Sequence, residues 1–91
     1  MGVLGTSISG PSTPSGGLQA WTASVTNAIS PTTYAWERRD FCDPVFTSTG
    51  QTSVTYTEVT TVGSSFYLRV TVTSAGRTAS SAKLVGGFQV C

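Results

Sequence analysis

Between residues 66 and 73, apolar and polar side chains alternate without a break. Phe66, Leu68, Val70 and Val72 fall on one parity, and Tyr67, Arg69, Thr71 and Thr73 on the other. Successive side chains of a strand point to opposite faces, so this period of two predicts a β-strand with one face on a core and one toward water. A helix would need apolar residues three and four apart, which the segment does not supply. The same pattern recurs along the chain. Residues 18–25 read as a strand with Trp21, Ala23 and Val25 on one face, and residues 32–39 as a strand with Tyr34, Trp36 and Arg38 together. Residues 53–59 group Val54, Tyr56 and Glu58, residues 77–85 form a return strand, and Ile8 anchors a short first strand. A further short strand is expected near Val45-Phe46.

Turn residues separate these segments. The densest cluster, at residues 10–17, holds two prolines and three glycines and excludes a regular helix. Residues 40–50 read as an irregular crossing. Ser74-Ala75-Gly76 is a tight hairpin connection with Gly where φ > 0 is called for, and Gly86-Gly87 reads as a hinge before an apolar tail. Short strands with turns every ~8–12 residues predict an all-β sandwich or small barrel. The order of long and short connections favours a Greek-key sandwich of about seven strands. Its expected core is Trp21, Tyr34, Trp36, Phe66, Leu68, Val70 and Val72.

A chain of 91 residues suits one domain (1–91), with a core at 8–85 and a C-terminal tail at 86–91. Charged residues make up 10%, against a usual share of ~25%, and Thr and Ser replace them. That composition favours strands. A net charge of +1 argues against a nucleic-acid partner, because Arg38 and Arg39 are the only adjacent cations and Glu37 and Asp40 flank them. No apolar run approaches the ~18–20 residues that would insert into a membrane. The first five residues lack the basic and apolar pattern of a signal peptide. Either a signal and further domains precede this chain, or the protein starts here and is not secreted.

Gly10-Pro11, Trp21-Thr22-Ala23-Ser24-Val25, Tyr34-Ala35-Trp36, and residues 66–72 followed by a hairpin and Gly76-Arg77-Thr78-Ala79-Ser80 resemble bacterial immunoglobulin-like modules. The resemblance covers residues 8–85. It is strongest to modules appended to secreted bacterial enzymes, such as subtilisin-like proteases, and to surface proteins. The related polycystic-kidney-disease module continues its Tyr-x-Trp with an acidic, Gly-containing turn, whereas Glu37-Arg38-Arg39-Asp40 follows here. The chain is therefore PKD-like and stands beside that family. The antibody pattern of one Cys on each of two facing strands is also absent. The resemblance implies an extracellular or cell-surface accessory role in spacing, adhesion or protein binding, without catalysis.

Cys42 and Cys91 are the only cysteines. In such a sandwich, residues 32–39 and 77–85 run parallel on either side of the 66–73 strand, so both cysteines lie past strand ends at one end of the molecule. A disulfide is then within the ~7 Å Cα limit and closes a loop of about 50 residues. The alternative is a pair of free thiols. Glu37, Asp40 and Asp43, with Glu58 elsewhere, do not form a compact calcium set and read as surface charges that pair locally. No metal or other cofactor is expected. Without His, nucleophiles lack their usual base. Asp40 and Asp43 resemble a glycosidase pair only in name, since a small sandwich leaves little room for a ~300 Å³ cleft. No enzymatic activity is expected.

The remaining aromatics suggest a surface. Phe41, Phe46, Tyr67 and Arg69 form the candidate binding surface, while Phe88 and Val90 are expected to fold over the end of the sandwich and close the core. Three roles compete. The first is the accessory module, and the second is a structural subunit or decoration protein of a virion or extracellular filament. The third is a carbohydrate-binding module using exposed aromatics.

Overall fold

The computed structural model describes residues 2–91. Seven strands follow one another: β1 (Gly5–Ser9), β2 (Gly17–Thr26), β3 (Thr32–Asp40), β4 (Thr47–Ser48), β5 (Thr55–Thr60), β6 (Phe66–Ser74) and β7 (Arg77–Val85). They form two antiparallel sheets, ordered β1-β2-β5 and β4-β3-β6-β7. The described residues contain no helix, hence none able to cross a membrane. The chain is all-β, as its alternation predicts, and β6 lies between β3 and β7 in the larger sheet.

The sheets meet through aromatic side chains. Trp21 of β2 packs edge-on against Phe66 of β6, with ring centroids 5.8 Å apart, and Tyr56 of β5 stacks on Trp36 of β3 at 5.5 Å. Leu68, Val70, Val72, Val85 and Ala23 complete the buried cluster. Register explains the membership: Trp36 pairs with Val70, and Val70 with Ser81, so one parity of β3, β6 and β7 faces inward together. Tyr34 is half-buried and packs against the cluster from its margin, rather than inside it.

Buried polar groups tie the loops to the strands. The Trp21 indole donates to the Pro11 carbonyl at 2.9 Å, and the Trp36 indole to the Ser53 carbonyl at 2.7 Å. Gly10 makes the first approach possible, since a Cβ there would run into the Trp21 ring and the Ala20 carbonyl. Ser74, fully buried, exchanges two 2.6 Å bonds with the main chain of Ile29. Thr60 donates to the Ser15 carbonyl and Ser65 to that of Gly87, each at 2.7 Å. Such pairing offsets the cost of burying a polar group in a small core.

Four expectations need correction. The short strand is Thr47–Ser48, not Val45-Phe46, because pairing with β3 begins only where Thr47 meets Arg38. The fifth strand starts at Thr55, and Val54 is exposed; its carbonyl instead accepts from Ala23 N at 2.9 Å. Gly86 is no hinge: its N–H donates to the Ser12 carbonyl at 2.8 Å, and a Cβ there would strike the Ser64 carbonyl. The tail does not close the core, as Phe88 is 88% exposed and Val90 102%. Val85 fills that end from within the sheet. The hairpin reading holds in detail, with Gly76 at φ 78° and Ala75 also at positive φ, 51°.

Trp36→Ala removes an aromatic contact between the sheets and strands the Ser53 carbonyl. It should cost about 3–5 kcal/mol and lower the melting temperature by about 10 °C or more. Thermal unfolding followed by near-ultraviolet circular dichroism measures it. A transition within a few degrees of wild type would place Trp36 outside the core.

Candidate functional site

The outward face of the larger sheet, with the crossing segment folded onto it, gathers all four residues of the sequence-predicted surface. The β3–β6 register sets Arg39 opposite Tyr67 and Glu37 opposite Arg69. The Arg39 guanidinium lies over the Tyr67 ring at 4.3 Å and reaches Phe46 at 5.5 Å, and Arg69 lies over Phe46 at 4.2 Å. Phe41 stacks on the near side of the series, 5.8 Å from Tyr67, and Phe88 meets Phe41 edge-on at 5.6 Å. The result is a ladder running Phe88, Phe41, Tyr67, Arg39, Phe46, Arg69.

Polar bonds fix its two guanidinium groups. Arg69 donates to Glu37 at 2.9 Å, a bond that holds its guanidinium pKa above the ordinary arginine value. Arg39 donates to the carbonyls of Asp43 at 2.5 Å and Phe41 at 3.4 Å, so it also folds the crossing segment onto the sheet. Each exposed cation–aromatic contact contributes only ~0.5–1 kcal/mol. Together they hold the rings and guanidinium groups against one another, and a pre-ordered surface loses less entropy on binding. Composition alone did not reveal Arg39 as the link. The signal was its parity, opposite to that of Arg38 and shared with Tyr67 once β3 and β6 are paired.

Arg38 points the other way, into the rim between the sheets. Its guanidinium lies 4.3 Å from the Phe66 ring and pairs with Asp40 at 2.5 Å and with Glu58 of β5 at 2.8 Å. Burial alone would depress its pKa, but the two carboxylates outweigh that and raise it. Glu58 also accepts from the Tyr56 hydroxyl. Burial first, and that bond second, push the Tyr56 phenol above its ordinary range. Of the acids weighed as metal ligands, Glu37, Asp40 and Glu58 are thus each bonded to a guanidinium. Asp43 contributes its carbonyl to Arg39.

At the end of the molecule beyond β3 and β7, Cys42 and Cys91 are joined, with Cα atoms 5.5 Å apart. The bond straps the tail beside Phe41, and Gln89 donates to the Gly63 carbonyl at 3.2 Å. Phe88, Val90 and Val62 of the β5–β6 loop all remain exposed there. An open groove of about 370 Å³ lies at the opposite end, lined by Gly2, Val3, Leu4, Arg77 and Thr78. The volume exceeds the sequence expectation for so small a sandwich. Asp40 and Asp43 are at the far end of the strands from it, and among the described residues Arg77 is its one ionisable lining side chain. No family model, curated protein or solved structure matches the chain.

Two measurements follow from this geometry. Replacing both cysteines by serine frees a 49-residue separation in the unfolded chain and should cost about 2–5 kcal/mol. Guanidinium unfolding reads the loss, and an unchanged midpoint would deny the bond a stabilising role. The second concerns pH. Unfolded Tyr56 ionises near pH ~10 whereas the folded phenol resists, so its stabilisation is complete below that pH and is lost as pH rises toward the folded value. Between pH 9 and 11, Tyr56→Phe should lose about 1 kcal/mol less unfolding free energy than wild type. Parallel losses in the two proteins would contradict the raised phenol.

Proposed function

We propose that this chain is a non-catalytic immunoglobulin-like module of Greek-key type that serves a secreted or surface-exposed protein as a spacer and protein-binding unit. The observation that carries this reading is the strapped end. A disulfide holds the tail against the crossing segment while leaving Phe88, Val90 and Val62 in water. Disulfides persist in oxidising compartments, which supports an extracellular or surface location. Clustered exposed apolar side chains commonly mark contact with another protein. The extents of 43 × 25 × 21 Å suit a spacer, and the aromatic–arginine ladder offers a stiff face beside the strapped end.

The same apolar end also fits a subunit contact in a virion or extracellular filament, which is the second reading. A sugar-binding role has less support. Tyr67 and Phe46 each already carry a guanidinium over the ring, where a sugar would stack.

The test is to alkylate thiols in intact producing cells, fractionate them, and map Cys42 and Cys91 by mass spectrometry. The module reading expects protein in the medium or on the surface with neither cysteine labelled. Cytoplasmic protein labelled at both cysteines would overturn it. Co-sedimentation with particles would favour the subunit reading instead.

A further inference from the structure

β5 is the outer strand of its sheet: β2 pairs along one side, and among the described residues no strand covers the other. Such an edge offers unpaired N–H and C=O groups to any strand that approaches. Two of the usual deterrents are missing from it, and its one charge, Glu58, lies on the inner face, paired with Arg38. Its sequence, Thr-Tyr-Thr-Glu-Val-Thr, has no proline and no lysine, and Thr57 and Val59 place uncharged, exposed side chains on its outer face.

One residue occupies this edge. The Thr57 N–H donates to Gln51 Oε1 at 3.0 Å, and the Thr57 carbonyl accepts from Gln51 Nε2 at 2.8 Å. A primary amide carries a donor and an acceptor side by side, as a peptide group does, so it fills the place of a paired strand residue. Gln51 is itself held from the opposite sheet. Its carbonyl accepts from Trp36 N of β3 at 3.3 Å, and its N–H donates to Thr49 Oγ1 at 3.2 Å. Its main chain is thus tied to β3 of the larger sheet while its side chain bonds the edge of the smaller one.

We propose that Gln51 is an edge guard, its amide holding the Thr57 ladder position and so preventing a second copy of this chain from pairing β5 against β5. A second copy of this chain fits that edge. Antiparallel pairing centred on Thr57 is self-complementary about a two-fold axis and opposes Val59 of one copy to Thr55 of the other, a β-branched pair. It would also shelter Leu18 and Val59, cross-strand partners on the outer face that are 67% and 72% exposed.

Hydrogen exchange on the wild-type protein gives the first test. Residues two apart on a strand direct their amides the same way, so Val59 N–H faces the edge that Thr57 N–H faces. The guarded Thr57 amide should exchange roughly 10-fold or more slowly than that of Val59. Equal rates overturn the proposal. The second test is Gln51→Met, which keeps the length and removes the amide. Analytical ultracentrifugation on the order of 100 μM should show wild type as the less associated form and the variant forming dimers. Adding Val59→Lys to Gln51→Met should return it to the wild-type state, since an edge lysine opposes strand addition. A variant no more associated than wild type, or association that Val59→Lys leaves unchanged, overturns the proposal.

Discussion

Because side chains alternate along a strand, the pairing of β6 with β3 and β7 decides in one step what fills the core and what meets water. With Trp36 opposite Val70 and Leu68 opposite Arg38, the inward parity delivers Trp36, Phe66, Leu68, Val70 and Val72 to the smaller sheet. The outward parity delivers Arg39, Tyr67, Glu37 and Arg69 to one another. A slip of one residue would bury Arg69 and expose Phe66. The core and the aromatic–arginine ladder are therefore two consequences of one register, and neither can be altered by shifting the strands without losing the other.

So small a domain with so few charges has limited means of holding its loops. It uses neutral hydrogen bonds from inside the core. Two indoles and the hydroxyls of Thr60, Ser65 and Ser74 each reach a loop carbonyl. Every loop so tied is fixed by a residue whose apolar or tightly packed surroundings would penalise an unsatisfied donor. Charge is concentrated at the rim, where Arg38 joins β3 to β5 through Glu58, and on the ladder, where its partners are mostly rings.

Long alternating segments were legible in the sequence because their period is a property of the strand itself. β6, β7 and the tight turn between them were readable to within a residue. The convergence of Cys42 and Cys91 also followed, once two parallel strands were placed on either side of β6. What stayed hidden was decided by contacts between distant segments. Nothing local to Phe88 tells whether it enters the core or leans on Phe41, and the outcome turns on Val85 already filling the space. Gly86 looked free because glycine often marks a hinge, yet its fitness here comes from the closeness of Ser64. Gln51 gave no signal at all, since a lone glutamine in a loop becomes meaningful only when Thr57 lies beside it.

The strap between Cys42 and Cys91 also defines how tension travels through the molecule. A pull applied at Cys91 passes through the sulfur bridge to Cys42 and thence to the end of β3, bypassing β7 and the tail. The 49-residue separation enclosed by the bond, about 170 Å if fully extended, cannot lengthen under load. Stretching is confined to the segment before Cys42, which includes β3, so β4 to β7 stay within one closed link and the four-stranded sheet cannot be unravelled from its last strand.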